Sequence, residues 1–168
     1  MLAPVLTELC RRSKAHWGYE PDLLHRWAGD LAITAQDIDR DAVLVAELGD
    51  DDGGAPPRIG GFARISRGTG AHLDHPAPAR LDDLWVEPDA MGAGVGRALF
   101  EASCEVARTL PADQMLIVSD PNAEGFYLRM GARRIGEEAS EVVDGRQLPI
   151  LLIDLHRPAA DASRLTSG

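Results

Sequence analysis

Cysteine is scarce in this chain: only Cys10 and Cys104 occur, which leaves no disulfide framework and no paired Cys-x-x-Cys metal site. Basic charge is short as well. Lys and Arg number 17 against 27 Asp and Glu, a formal net charge of −10, so the clustered positive charge that holds a phosphate backbone is missing and no nucleic-acid partner is expected. No apolar run is long enough to cross a bilayer and no N-terminal stretch reads as a signal peptide, so no membrane partner is expected and the cytoplasm is the expected location. What is present is a soluble-protein balance, with 45% hydrophobic and 26% charged residues in 168. That length predicts a single domain over residues 1–157, with residues 158–168 as a disordered tail of Pro, Ala and Ser.

The stretch from Leu84 to Leu110 organises the rest. An apolar run of strand type passes through a short turn into Met91-Gly92-Ala93-Gly94-Val95-Gly96, which opens an amphipathic helix. Such a junction favours phosphate: glycines let a ligand approach the main chain, and the first N–H groups of the helix lack internal partners and sit at the positive end of its dipole. A Walker loop is excluded, because Arg97-Ala98 stands where Lys and a hydroxyl residue are required. A Rossmann loop for NAD fits poorly, because the glycines run Gly-x-Gly-x-Gly and several residues separate them from the strand.

Around this stretch, Val5, Leu6, Leu9 and Cys10 recur at helical spacing within Pro4–Ser13. Pro21 opens a second helical stretch to Leu31. Between them lie His16, Trp17 and Tyr19, readable as a pocket wall or as packing of helix on sheet. Ala42–Leu48 and Arg58–Ser66 read as a hairpin around an acidic Gly/Asp/Pro tip, which lacks the spacing of a calcium loop. His72 and His75 fall in a Gly/Pro-rich loop and match no metal site, and no metal is expected. Strand character from Arg80 to Val86 carries Asp82 and Asp83, which point to opposite faces if the strand is regular. The glycine loop then leads into a helix whose buried face is expected to be Val95, Leu99, Ala102, Val106 and Leu110. Gln114–Ser119 reads as a strand buried on both faces, parallel to the one before the loop. Asp144-Gly145 predicts a tight hairpin between Glu137–Val143 and Gln147–Leu155.

A second constellation follows the buried strand: Asp120-Pro121-Asn122-Ala123, then Phe126-Tyr127, then Gly131, with Asn122 expected as N-cap and Gly131 as the helix stop. Leu84-x-Val86-x-Pro88 with Gly94-x-Gly96, followed at this separation by the Asn122 to Gly131 segment, resembles the Gcn5-related N-acetyltransferases. Met91 departs from the family's usual Arg or Gln, but main-chain donors carry most of a diphosphate contact. That resemblance implies an α/β (α+β) fold with a mixed, mostly antiparallel sheet, a splayed parallel strand pair and about four flanking helices. Only Met1–Ala3 are available for the family's first strand.

By the same resemblance, acetyl-CoA is the acyl donor, held by Leu84, Trp85 and Val86, by Met91 to Arg97 (Met91, Gly92, Ala93, Gly94, Val95, Gly96, Arg97), and by Asn122 and Phe126. Tyr127 matches the family's general acid. Asp83 is a candidate proton acceptor, alone or with a water-linked His16, and His16, Trp17 and Tyr19 are candidates for the acceptor wall. The acceptor itself is a small-molecule or peptide amine, and the family often forms homodimers. A non-catalytic acyl-CoA sensor using the same loop is the alternative.

Overall fold

A computed structural model describes residues 1–49, 57–68 and 79–155. The tip of the first hairpin, His72, His75 and residues 156–168 lie outside the described residues. The chain runs α1 (Leu2–Ala15), α2 (Pro21–Arg26), α3 (Ala35–Arg40), β1 (Ala42–Leu48), β2 (Arg58–Arg67), β3 (Ala79–Val86), α4 (Val95–Arg108), β4 (Gln114–Val118), α5 (Glu124–Arg129), β5 (Arg133–Ala139) and β6 (Gln147–Asp154). Among the described residues five helices flank the sheet, in keeping with the about four expected. One of them, α3, starts at a reciprocal cap in which Thr34 accepts from the Asp37 amide and Asp37 accepts from the Thr34 amide. Among the described residues no strand precedes α1, which begins at Leu2. α2 stops at Arg26, and the chain continues to Leu31 as turns.

Among the described residues six strands form one sheet in the order β1-β2-β3-β4-β6-β5. All neighbours are antiparallel except β3 and β4, the pair that α4 connects. β4 is central and apolar on both faces: Met115 and Ile117 join the core under α4, while Leu116 joins Ile150 and Leu152 on the other side. α4 differs from the expected pattern. Its buried residues are Val95, Leu99, Phe100, Ser103, Cys104 and Ala107, whereas Ala102 and Val106 are only half buried. Ser103 can join this face because its hydroxyl donates to the Leu99 carbonyl at 2.7 Å. Cys104 packs there as a small hydrophobe, and burial pushes its thiol up to about 11. α1 buries Leu6, Leu9 and Cys10 against the opposite face with Trp27, Leu31 and Phe62, while Val5 stays 47% exposed.

The last hairpin is looser than Asp-Gly suggested. β5 ends at Ala139, not Val143, and the loop of residues 140–146 is closed by Ser140 donating its amide to the Arg146 carbonyl and by Gly145 at φ 77°. β5 is an outer strand whose sequence, Arg133-Arg134-Ile135-Gly136-Glu137-Glu138-Ala139, is mostly charged.

Gly61 shows how closely α4 seats on the sheet. A Cβ there would lie 2.8 Å from the Trp85 carbonyl and 3.0 Å from a Leu99 methyl. Gly61→Ala is therefore expected to cost about 1–3 kcal/mol by overpacking and to lower the melting point by roughly 2–12 °C. Thermal denaturation followed by circular dichroism checks this, and an unchanged midpoint would contradict the packing described.

Candidate active site

The cleft exists because β3 and β4 part company. They register at only three positions, Ala79 with Met115, Arg80 with Leu116 and Leu81 with Ile117, although β3 continues to Val86. Beyond Leu81 the two strands leave between them a cleft of about 570 Å³, lined by Leu84, Trp85 and Val86 on one side and by Val118, Ser119 and Asp120 on the other.

A bulge sits at the point of divergence. Arg64 opposes Asp83 and Ile65 opposes Leu81, so Asp82 is the inserted residue. Leu81 and Leu84 both pack on the α4 side of the sheet. Both aspartates between them therefore fall on the other face, with Trp85, rather than on opposite faces. The two carboxylates differ in what they do there. Asp83 is fully engaged: its Oδ2 accepts from Arg64 Nε at 2.7 Å and its Oδ1 from the Trp85 indole at 2.8 Å. Asp82 has one buried oxygen, Oδ2, with no hydrogen-bond partner. Burial pushes the Asp82 carboxyl up, against the pull of Ser66 and Arg64.

The glycine loop forms the cleft's second wall. Pro88–Ala90 makes one 3-10 turn, and Gly92 and Gly94 follow at φ 81° and 87°, a region that side chains rarely adopt, with open space around both. Gly94 leads into α4 without a side-chain cap. The first intrahelical bond is from the Ala98 amide to the Gly94 carbonyl, so the amides before it are left for a ligand. Met91, Gly92, Gly94, Gly96 and Arg97 line the cleft. The side chain of Val95 instead turns into the core, and Ala93 is exposed on the outer side of the turn. A Cβ on Gly96 would touch Val86 at 3.5 Å and the Phe126 ring at 3.6 Å, which shows how close α5 lies to the mouth of α4.

Tyr127 comes from α5. Gly131, at φ 94°, ends that helix, and the Ala132 amide returns to the Tyr127 carbonyl at 3.0 Å. Asn122 is not the N-cap expected. It lies inside a 3-10 turn, Pro121–Ala123, where the capping acceptor is Asp120, whose Oδ1 takes the Asn122 amide at 2.9 Å. The Tyr127 ring is 7% exposed and packs against Phe100 and Phe126, with centroids 5.8 and 5.1 Å away. Its hydroxyl has no partner among the described residues, and the residue lines the cleft. Burial first, and the Asp83 charge second, push the phenol well above its ordinary value, so it is protonated across the neutral range.

Three acceptor-wall candidates separate in the structure. Trp17 lines the cleft with 43% of its surface exposed. His16 is exposed and does not line the cleft. Tyr19 is half buried and serves a cluster that sequence reasoning did not find. Asp120 is held by Lys14 and by Arg146 Nη2 at 2.8 Å, its Oδ1 accepts from the Tyr19 hydroxyl at 2.9 Å, and Asn122 Nδ2 donates to the same hydroxyl at 2.8 Å. The Lys14 ammonium also sits 4.3 Å from the centre of the Trp27 ring. Burial draws that ammonium down, opposed by its bond to Asp120. The signal was available: Lys14 follows Cys10 by one helical turn, a lone charge on the apolar stripe of α1. Nearby, the Arg12 guanidinium grips the buried Glu87 through both Nε and Nη2, fixing the start of the loop against α1.

The sequence profile described as the acetyltransferase (GNAT) domain matches residues 55–145, more than half of the chain. The chain belongs to the GNAT acetyltransferase family. A peptidyl-lysine N-acetyltransferase of Escherichia coli, YjaB, is 38% identical over 74 residues, which is 42% of this chain and 46% of that protein. The chain spans less than half the length of the curated relatives it matches. Solved folds extend the likeness. A GCN5-related N-acetyltransferase structure from Rhodopseudomonas palustris superposes with a TM-score of 0.69 at 21% identity, covering 90% of this chain and 89% of its own. The PaiA N-acetyltransferase of Thermoplasma acidophilum, solved in complex with coenzyme A, gives 0.63 at 15% identity over 90% and 92%. The mixed, mostly antiparallel sheet with one parallel pair is the architecture that the sequence motifs implied.

Proposed function

We propose that this GNAT protein transfers the acetyl group of acetyl-CoA to a primary amine by direct attack on the thioester. The observation that carries the reading is the convergence on one cleft of the uncapped mouth of α4, the free edge of β3 and the Tyr127 residue. In this reading the diphosphate lies against the amides that open α4, with Arg97 beside it, and the pantetheine arm follows the β3 main chain at Leu84 to Val86. Asn122 and Phe126 flank the arm from the α5 side.

Each remaining step falls to a residue of the chain. The acceptor nitrogen bonds to the thioester carbon, and the C–S bond breaks as the tetrahedral intermediate collapses. Tyr127 gives its proton to the departing sulfur. The buried phenol resists becoming a phenolate, so proton transfer accompanies C–S cleavage rather than preceding it. The unpartnered Oδ2 of Asp82 is buried, so the ammonium proton passes to water in the cleft. Asp83, bound to Arg64 and Trp85, instead keeps the nearby phenol protonated. Trp17 forms the acceptor's apolar wall, with Tyr19 behind it.

Thiol release from acetyl-CoA, measured against a panel of amines that includes peptidyl-lysine, tests the proposal. Turnover with at least one amine is expected. Coenzyme A binding with no turnover across the panel would favour the alternative of an acyl-CoA sensor, and stabilisation by NAD alone would overturn both.

A further inference from the structure

The two strands that part at the cleft end alike. β3 runs into Glu87-Pro88-Asp89-Ala90 and β4, after Ser119, into Asp120-Pro121-Asn122-Ala123, each an acidic residue, a proline, Asp or Asn, and an alanine. Both segments make one 3-10 turn, and the acidic residue before each turn has nearly the same backbone, φ −56° and ψ 138° at Glu87 and φ −59° and ψ 135° at Asp120. Both carboxylates are largely withdrawn from solvent, with side-chain exposures of 12% and 13%. A carboxylate so placed requires a cation.

α1 supplies one to each. Arg12 donates to Glu87 through Nε, at 3.1 Å, and through Nη2, and Lys14 donates to Asp120. Side chains two residues apart on a helix leave it on nearly opposite sides. Ser13, between them, is buried and lines the cleft. α1 thus reaches the ends of both strands. Among the described residues no register pair joins β3 to β4 beyond Leu81 and Ile117, so the sheet's own ladder does not fix how far apart those ends stand.

We infer that α1 is a brace that sets the width of the gap between β3 and β4, with Arg12 as a positioning residue for acetyl transfer. The inference rests on the coenzyme A reading of the cleft. In that reading the pantetheine arm follows β3, while Tyr127 belongs to the helix that follows β4. Thioester and phenol come from opposite sides of the gap, and its width decides whether they meet. Arg12 is the arm to cut. It does not line the cleft, and its side chain is 51% exposed, so the ion pair adds little to overall stability. Without it Glu87 is left buried and unpaired, which drives the end of β3 out toward water. Asp120, by contrast, is held by Arg146 as well as Lys14.

Steady-state kinetics with an amine that the native protein turns over, together with calorimetric titration of coenzyme A, test the brace. Arg12→Ala is expected to lower the turnover number about tenfold by misplacing the reacting groups, while coenzyme A affinity stays within about twofold, since the diphosphate seat at the mouth of α4 is untouched. Arg12→Lys, which keeps the charge and loses the paired donors, is expected to recover part of the loss. Added to Tyr127→Phe, Arg12→Ala is expected to cost much less than it does alone, because the group that the brace aligns is then absent. An unchanged turnover number in Arg12→Ala, a full loss on top of Tyr127→Phe, or a fall in coenzyme A affinity as large as the fall in turnover overturns the brace and leaves the acetyltransferase reading standing. A native protein that turns over no amine overturns that reading, and the brace with it.

Discussion

Tyr127→Phe is expected to lower turnover about 100-fold to 1,000-fold, the usual contribution of a positioned general acid, while acetyl-CoA affinity stays the same. The substitution removes one oxygen and keeps the ring that packs against Phe100 and Phe126, so folding is not the confounding variable. The pH dependence carries a sign. An acid must hold its proton to act, and the raised phenol holds it to higher pH than a free tyrosine would. No alkaline fall in rate is therefore expected from Tyr127 below about pH 10, the reference value for the side chain. Steady-state kinetics on the variant decide the matter: an unchanged turnover number removes Tyr127 as the acid.

The second large effect concerns stability. Asp120 lies at the end of β4 where the cleft is open, and its carboxylate joins Lys14 of α1 to Arg146 of the β5–β6 loop. All three side chains are at most 14% exposed. Asp120→Ala would leave two buried cations facing each other, and a loss of about 3–5 kcal/mol is expected, or roughly 6–20 °C in melting temperature. Burial works to raise the Asp120 carboxyl, but Lys14, the Asn122 amide and Tyr19 outweigh it and hold it below the usual carboxylate range. A depressed folded-state value means that the stabilisation is present above the unfolded value of about 3.9 and is lost as pH falls below it. The native protein should thus show acid destabilisation below pH 4 that Asp120→Ala lacks in part. A variant as stable as the native chain would show that the cluster contributes nothing.

Those two residues also mark the boundary of what could be read without coordinates. The place of Tyr127 in the cleft was legible because its surroundings are local: Phe126-Tyr127 and Gly131 share one short helix, and the glycine loop shares a turn with α4. The same holds for the hairpin partners of β1 and β2 and for the parallel β3–β4 pair, whose apolar runs and short connections leave few arrangements. Asp120 was quoted only as part of a motif, because its partners lie 106 and 26 residues away in sequence. Periodicity reports which face is apolar, not which charges meet across it. The bulge at Asp82 escaped for a different reason. A regular strand was the natural reading of Arg80 to Val86, and one inserted residue reverses the facing of everything on one side of it. That inserted residue is why Asp82 and Asp83 share a face instead of pointing to opposite ones. The phase of α4 was missed because Ser103 looks polar until its hydroxyl is seen bonded to its own helix.

The outer strand β5 bears on how these molecules behave when crowded. With Arg133, Arg134, Glu137 and Glu138 along it, it offers its unpaired backbone to a neighbouring chain only together with a row of charges, and such a row deters the strand-by-strand stacking that seeds fibres. The opposite margin, Ala42–Leu48, carries a single charged residue, Glu47. Under destabilising conditions it is on that side that one molecule would template another.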